Sequence, residues 1–538
     1  KKMNKIFLDQ LQKIKKDSIR CKKKFSNQRI DLKSDIFHIE SEKIYLDYSR
    51  NILDQNTLAN LTRLAKILNI KEKFKDLCSG NICNISENRK VLHPAMRDTF
   101  FDLDENTKKE IKQHKKKLKK LSEDINSGKF KSFSGKKYRN IVSIGIGGSY
   151  FGTKMVYEAL KNFSTSDINL FFLSNLDVTE ADELLSNLNK DTTLFILVSK
   201  SFKTPETLEN ARKVKSWLKK GNVNKNIMKS FIAVTDNYQE ALKFGIHEDL
   251  IINLWDWLGG RYSIWSGVSL GLIIAIGYKN FSRFLQGANL GDKHFYSKDY
   301  SENIPVIMAL LTFYYTRFFG AQTHLILPYN YRLRFFVDHI QQVEMESNGK
   351  SIEQNGKKFS HLSSNIIWGS NGICSQHSYY QLLYQGNTFI PADFIFSKKN
   401  ESGTKDNQDK VFSNFLSHVE TRNRGFTKKE AEDLYHEKFS SSGLEKNLII
   451  KNLMIKGNKP TNALLLKDLS PETVGMLISF YEHKTYVLGL ISNIDSFDQW
   501  AVEIGKITAE DIYKSIKSSK KSHNSKNSLL KKYLDKKF

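Results

Sequence analysis

Residues 192–199, TTLFILVS, run from Leu194 to Val198 without a polar break. A strand with one wet face alternates apolar and polar side chains. An unbroken apolar run needs cover on both faces, which a parallel sheet between helices supplies. The same pattern recurs nearby. Residues 141–146 form an apolar run followed by a helical stripe of Phe151, Met155, Val156, Ala159 and Leu160, and residues 170–173 and 231–235 read as further strands. A helical stretch over 265–320 leads to a second series, with strands expected at 323–327, 388–396 and 462–466 and helices over about 330–347 and 471–490. Both halves read as α/β, each a parallel sheet flanked by helices. The first hundred residues read mainly helical, 107–122 as a Lys-rich helix, and 398–412 as a surface loop. TPET (204–207) and SPET (470–473) each open a helix, with Thr204 or Ser470 as N-cap and proline at the first helical position.

The net charge of +26 over 538 residues suggests nucleic acid until it is mapped. Residues 1–24, 108–120 and 514–538 carry net charges of +8, +7 and +8, which leaves the remainder nearly neutral. These segments are rich in Lys and poor in Arg and aromatic residues, whereas base recognition favours Arg forks and stacking rings. They read as solvated helix faces and tails, and no nucleic-acid partner is expected. The longest apolar run, residues 267–278, is short of the roughly 20 residues of a membrane helix. The N-terminal residues lack the apolar stretch of a signal peptide. The cysteines at 21, 78, 83 and 374 form no CxxC pair and no zinc spacing, so reduced thiols and a cytoplasmic location are expected. No HExxH, His-x-His or Asp-rich magnesium motif occurs, and no metal is expected.

Several stretches carry chemistry. SIGIGGSYFGTK (143–154) joins a strand to a helix through Gly145, Gly147 and Gly148, with Ser149 as a candidate N-cap. Tyr150 breaks the dinucleotide fingerprint and Thr153-Lys154 reverses the P-loop ending, so the loop suits an anion but not a nucleotide. VSKSFKTPET (198–207) repeats the architecture with Ser199, Lys200, Ser201 and Thr204 in place of glycine. Two such cradles at successive strand ends would grip one phosphate at the carboxyl edge of a sheet. In YNYRLRFFVDHIQQVEMESNGK (329–350), Gln342 and Glu346 share a helical face, and Glu346 falls in the last turn before the stop Asn348-Gly349. Negative charge there is disfavoured by roughly 0.3–1 kcal/mol, a setting for a group that takes and returns protons. NLWDWLGGRYSIWSG (253–267) places Arg261 after Gly259-Gly260, open to two readings: a fork for an oxyanion, or an arginine stacked in an aromatic cluster. His377 in SQHSYYQLLYQG (375–386) could be a proton shuttle or a satisfied core histidine, and taken alone it favours the second. In FDQWAVEIGK (497–506), Gln499, Glu503 and Lys506 share one face.

Together, from NISENRKVLHPAMR (84–97) to Lys506, these motifs resemble the glucose-6-phosphate isomerase (phosphoglucose isomerase) family in the family's own order. WDWLGGRYSIWS and QQVEMESNGK are the most specific. The resemblance implies two sugar-isomerase (SIS) α/β domains: a smaller one at 107–285 and a larger at 286–510. A helical segment at 1–106 would pack on the second, and a Lys-rich helix or tail would occupy 511–538. It implies interconversion of glucose 6-phosphate and fructose 6-phosphate with no cofactor. The enzyme would be a homodimer whose His377 reaches the partner's site. In that pattern Ser149, Ser199, Lys200, Ser201 and Thr204 hold the phosphate, and Gly148, Gly260, Gln342 and Gln499 position the sugar. His377 and Lys506 open the ring, Glu346 moves the proton through a cis-enediol, and Arg261 stabilises the enediolate. Ser201 stands where the family usually has Thr. WGSNGICSQH (368–377) departs from WGEPGTNGQH by losing a Glu to Ser370 and a Thr-Asn pair to Ile373-Cys374, and Ala501 replaces a usual Gly. The altered loop motivates an alternative with broader, mannose 6-phosphate specificity. A non-catalytic sugar-phosphate sensor is a further alternative, although it would not need to keep Glu346.

Overall fold

In the computed structural model the strand Thr193–Val198 is buried along its whole length, as its composition requires. It lies at the centre of a five-stranded, all-parallel sheet in the order Asn169–Leu173, Asn140–Ile144, Thr193–Val198, Phe231–Thr235, Ile251–Asn253. The second sheet has six strands in the order His38–Glu40, Ile44–Arg50, Thr461–Leu466, Ala392–Ser397, Thr323–Pro328, Ile366–Trp368. Its last four strands are mutually parallel, and the two N-terminal strands join antiparallel. The fold is α/β, with parallel sheets flanked by helices. The structure describes residues 2–28, 30, 37–164, 167–221, 226–399, 403–441, 443, 445–517 and 528–534. These fall into two units, Lys1–Ser496 and Phe497–Phe538. The second contains the helices Trp500–Lys517 and Ser528–Leu534, so part of the Lys-rich stretch 514–538 lies outside the described residues.

Four points of the fold add to or differ from what the sequence predicts. The N-terminal hundred residues are not only helical. Ile44–Arg50 alternates buried and half-buried residues and pairs with Thr461–Leu466, a contact over four hundred residues away in sequence. The strands Ile251–Asn253 and Ile366–Trp368 were too short for periodicity to register. Residues 405–412 are not loop: Thr404 caps the helix Lys405–Arg424 through the Asn407 amide. Ser149 is not an N-cap, since residues Gly147–Ser149 form a tight 3-10 turn and the helix Phe151–Leu160 begins beyond it.

Two long helices, Tyr278–Ser297 and Pro471–Ser492, supply a polar core that supports the site. Their backbones touch: a Cβ on Gly287 would fall 1.9 Å from the Glu472 carbonyl oxygen, and one on Gly475 would fall 2.1 Å from that of Phe284. This close crossing sets Asp292, Glu482 and His483 around Arg97 in the interior. Arg97 forks onto Asp292 with two bonds of 2.7 Å and reaches Glu482 at 2.6 Å. Trp265 Nε1 donates to Glu482 (2.9 Å), and His483 Nε2 bonds Asp292 (2.7 Å). Burial opposes the charge on Asp292, yet Arg97 and His483 outweigh it and hold its carboxyl at about 2. Burial pushes Glu482 up to about 7 despite Arg97 and Trp265.

Candidate active site

Three segments remote in sequence converge at the glycine loop. A Cβ on Gly148 would fall 2.2 Å from both the carbonyl carbon and oxygen of Gly260 and 2.8 Å from the Arg261 nitrogen, so only glycine allows the two loops to meet. A Cβ on Gly147 would lie 3.4 Å from Gln342 Nε2. Gln342 in turn donates to Glu346 Oε2 (3.1 Å), and Arg261 Nη1 lies 3.6 Å from the same oxygen. The expected set Gly148, Gly260, Arg261, Gln342 and Glu346 is therefore assembled in one place. The Glu346 side chain keeps 25% of its surface exposed while that of Arg261 keeps 1%, so a reactant can reach the carboxylate but not displace the guanidinium.

Glu346 closes a turn wider than α, two residues before its helix ends. Phe336–Gln341 is α-helical, and Gln342–Glu346 is a π turn. Such turns insert one extra residue and re-aim the side chains around it, and they recur at functional sites. Here the turn sends Glu344 into the core, where it pairs with Lys484 at 3.0 Å, and leaves Glu346 facing Arg261. Arg261 is held on its other edges. Nε donates to Ser347 Oγ (2.7 Å) and Nη2 to the Ser496 carbonyl (2.7 Å). The Tyr262 hydroxyl also bonds Ser347 (2.8 Å), and Tyr262 stacks on His93 at 4.5 Å. The rings of the tryptophan-rich segment pack the core, and its arginine faces the Glu346 carboxylate. Ser347, Ser496 and the Arg97 network were missed in the sequence. Ser347 adjoins Glu346, but nothing in its spacing distinguishes it from any helix-end serine.

The two hydroxyl- and glycine-rich loops lie side by side at the carboxyl edge of the first sheet. A Cβ on Gly145 would meet the Val198 carbonyl oxygen at 3.0 Å, just before Ser199. Thr204 precedes the helix Pro205–Lys219 as expected, yet its hydroxyl makes no capping bond and pairs with Ser199 Oγ at 3.0 Å. Ser201 Oγ accepts from the Lys203 amide (3.2 Å). The Ser149 hydroxyl has no hydrogen bond among the described residues. The Lys200 ammonium donates to the carbonyls of Asp256 (2.7 Å) and Leu258 (3.2 Å), which ties the loop to the Arg261 segment. Burial pulls its pKa down, with Arg89 adding to the effect.

His377 is exposed at the end of the short helix Gly372–Gln376, and no hydrogen bond joins it to the Glu346 cluster among the described residues. Its altered loop is closed upon itself: Ser370, in place of the family's Glu, bonds Ser375 Oγ (2.8 Å) and the Tyr379 hydroxyl (3.0 Å). Gln499 and Lys506 belong to the second unit, where Lys506 pairs with Glu503 at 2.6 Å. Among the described residues no group of His, Cys, Asp and Glu could hold a metal ion, and no helix is long and apolar enough to cross a membrane.

A partly open carboxylate beside a locked guanidinium can shift a proton next to a carbonyl and hold the oxyanion that results. Beside the hydroxyl- and glycine-rich loops of this α/β scaffold, that equipment is of the kind an aldose–ketose isomerase uses. The profile of the phosphoglucose isomerase family matches residues 47–530. Glucose-6-phosphate isomerase of Buchnera aphidicola subsp. Schizaphis graminum is 42% identical over 490 residues, covering 90% of this chain and 87% of that protein. The enzyme of that name from Christiangramia forsetii is 40% identical over 509 residues, 93% of each chain. The crystal structure of a glucose-6-phosphate isomerase from Chlamydia trachomatis superposes with a TM-score of 0.80 at 29% identity, covering 94% of this chain and 97% of that one. The chain belongs to the phosphoglucose isomerase family.

Proposed function

We propose that the chain interconverts glucose 6-phosphate and fructose 6-phosphate, the step shared by glycolysis and gluconeogenesis, in the cytoplasm. The observation that carries the mechanism is the Glu346 carboxylate set between Gln342 (3.1 Å) and Arg261 (3.6 Å). The substrate phosphate sits against Ser149, Ser199, Ser201 and Thr204, with Lys200 adding positive charge. Gly148, Gly260, Gln342 and Gln499 position the sugar. His377 and Lys506 open the ring by proton transfer between the ring oxygen and the anomeric hydroxyl. Glu346 then removes the proton from C2, and the electron pair moves onto the C1 carbonyl oxygen to give a cis-enediolate. Arg261 faces that charge. Glu346 returns its proton to C1 as the carbonyl re-forms at C2, and the hydroxyl proton of O2 passes to O1, so no atom is gained or lost.

His377 serves the partner's site in a homodimer, a reading supported by its exposure and by the absence of a hydrogen bond to the Glu346 cluster among the described residues. The division into sugar-isomerase domains at 107–285 and 286–510 is supported by the confinement of the first sheet to 140–253 and of the four parallel strands of the second to 323–466. The pairing of 38–50 with that second sheet supports the packing of segment 1–106 upon it.

The test is a coupled assay for glucose 6-phosphate formed from fructose 6-phosphate, with Glu346→Gln beside wild type. General acid–base catalysis contributes about 10²–10⁴-fold, and kcat should fall by that amount. An equally active variant removes Glu346 as the base.

A further inference from the structure

At the amino-terminal edge of the second sheet a cavity of about 650 Å³ opens between the N-terminal helix and the segments 383–390 and 451–460. None of the Glu346 cluster lines it. Among the described residues five lining residues are cationic (Lys22, Arg422, Lys451, Lys456 and Lys459) and none is acidic.

Arg422 is the most informative of them. Its side chain is fully buried. Nε donates to Thr461 Oγ1 (3.0 Å), and Nη2 donates to the carbonyls of Ile390 (2.7 Å) and Pro460 (3.1 Å), just ahead of two strands of the sheet. Nη1 is buried with no hydrogen-bond partner among the described residues. Buried charge is normally paired, because an uncompensated ion in a low-dielectric interior is costly. The other fully buried arginines follow that rule: Arg97 faces Asp292 and Glu482, and Arg261 faces Glu346. Arg422 faces the Phe394 ring and neutral acceptors, with no carboxylate partner among the described residues, and burial pulls it down to about 10. Burial, with Arg422 and Lys456 adding to it, pulls the neighbouring Lys459 down to about 8. Among the described residues the cavity concentrates positive charge with no carboxylate on its lining.

Part of its lining is aromatic, with the Lys22 ammonium 4.6 Å from the centre of the Phe319 ring. Phe319 and Phe389 stack with centroids 5.4 Å apart and planes 21° from parallel, both half-buried, with Tyr384 also on the lining. Small-molecule sites span about 300–1,000 Å³, so the volume fits a ligand of nucleotide size.

We propose that this cavity is a second ligand site, for a phosphorylated molecule with a flat aromatic body, its phosphates at the lysines in the field of the buried Arg422 and its ring against Phe319 and Phe389. Charge-assisted bonds hold the anion and stacking orients the ring.

The probes are ATP, pyrophosphate and adenosine, titrated calorimetrically into the full chain with and without saturating fructose 6-phosphate. Turnover of that sugar reports separately on the isomerase reading. ATP should bind equally well in both conditions, pyrophosphate more weakly and adenosine weakest. Lys451 and Lys456 are exposed, so Lys451→Glu/Lys456→Glu should keep turnover while weakening ATP by about tenfold or more through loss of two charge-assisted contacts. The same reversal on the Lys-rich helix, Lys112→Glu/Lys116→Glu, should leave ATP affinity unchanged. Displacement of ATP by fructose 6-phosphate would place the binding at the Glu346 site and overturn the proposal. So would equal loss in both charge reversals, or no ATP binding together with a charge-reversal effect on self-association, which would mean that a second copy covers the cavity.

Discussion

Gly148→Ala tests whether the meeting of two loops orders the Glu346 site. The added Cβ would fall 2.2 Å from the Gly260 carbonyl group and 2.8 Å from the Arg261 nitrogen. Non-bonded carbon atoms rest about 3.5 Å apart, so the loops must separate by about 1.3 Å. The displaced peptide is the one that carries Arg261, and the Arg261–Glu346 distance of 3.6 Å has no slack on the guanidinium side, where Ser347 and Ser496 hold it. Overpacking of this kind costs about 1–3 kcal/mol of stability. A misplacement of about 1 Å in catalytic geometry costs about 10²-fold in rate. The expected result is a folded protein with a lowered Tm and a kcat for fructose 6-phosphate down by about two orders of magnitude. Gly260→Ala is the comparison, because its Cβ would meet nothing within 4 Å, and its Tm should match wild type. A Gly148→Ala protein with wild-type Tm and a kcat within threefold of wild type would refute the claim that this approach sets the site.

Other consequences are independent of that contact. Ser347→Ala leaves Arg261 Nε and the Tyr262 hydroxyl without their shared partner, a loss of about 1.5–3 kcal/mol for a charged donor, and should lower kcat more than it raises KM in steady-state kinetics. Lys484→Met strands the buried Glu344 carboxylate and should cost about 3–5 kcal/mol in denaturant unfolding, with most of it recovered in Lys484→Met/Glu344→Met. Glu482 at about 7 in the folded state against an ordinary 4.5 means that the folded protein holds a proton which the unfolded chain gives up, so this group makes stability fall as pH rises from about 4.5 to 7. Glu482→Gln should flatten that decline, read as the change in denaturant midpoint between pH 5 and pH 7.5. Turnover of wild type after exhaustive dialysis against EDTA should equal that of the untreated protein.

What could be read from the chain divides along the range of the interactions involved. Residues 193–198 and 231–235 declared themselves because burial on both faces writes itself into five or six consecutive side chains, and the Gln342–Glu346 contact followed from helical spacing alone. Ile44–Arg50 did not, because its place is decided by Thr461–Leu466, and a strand borrowed from the far end of the sequence leaves no local trace. The site shows the same division within single residues. Thr204 follows the N-cap rule by position, but the nearby Ser199 hydroxyl competes for its side chain and wins, which leaves the cap bond unmade at the cradle. Lys200 looked like a phosphate ligand by composition, whereas the carbonyls of Asp256 and Leu258 claim its ammonium and convert it into the tie between cradle and Arg261 segment. Residue type therefore determined which chemistry was available, and tertiary contacts determined which donor was spent on structure. Arg422 shows the converse. In the sequence it is one basic residue in a lysine-rich chain, and only the folded interior reveals that it is buried with no carboxylate partner among the described residues.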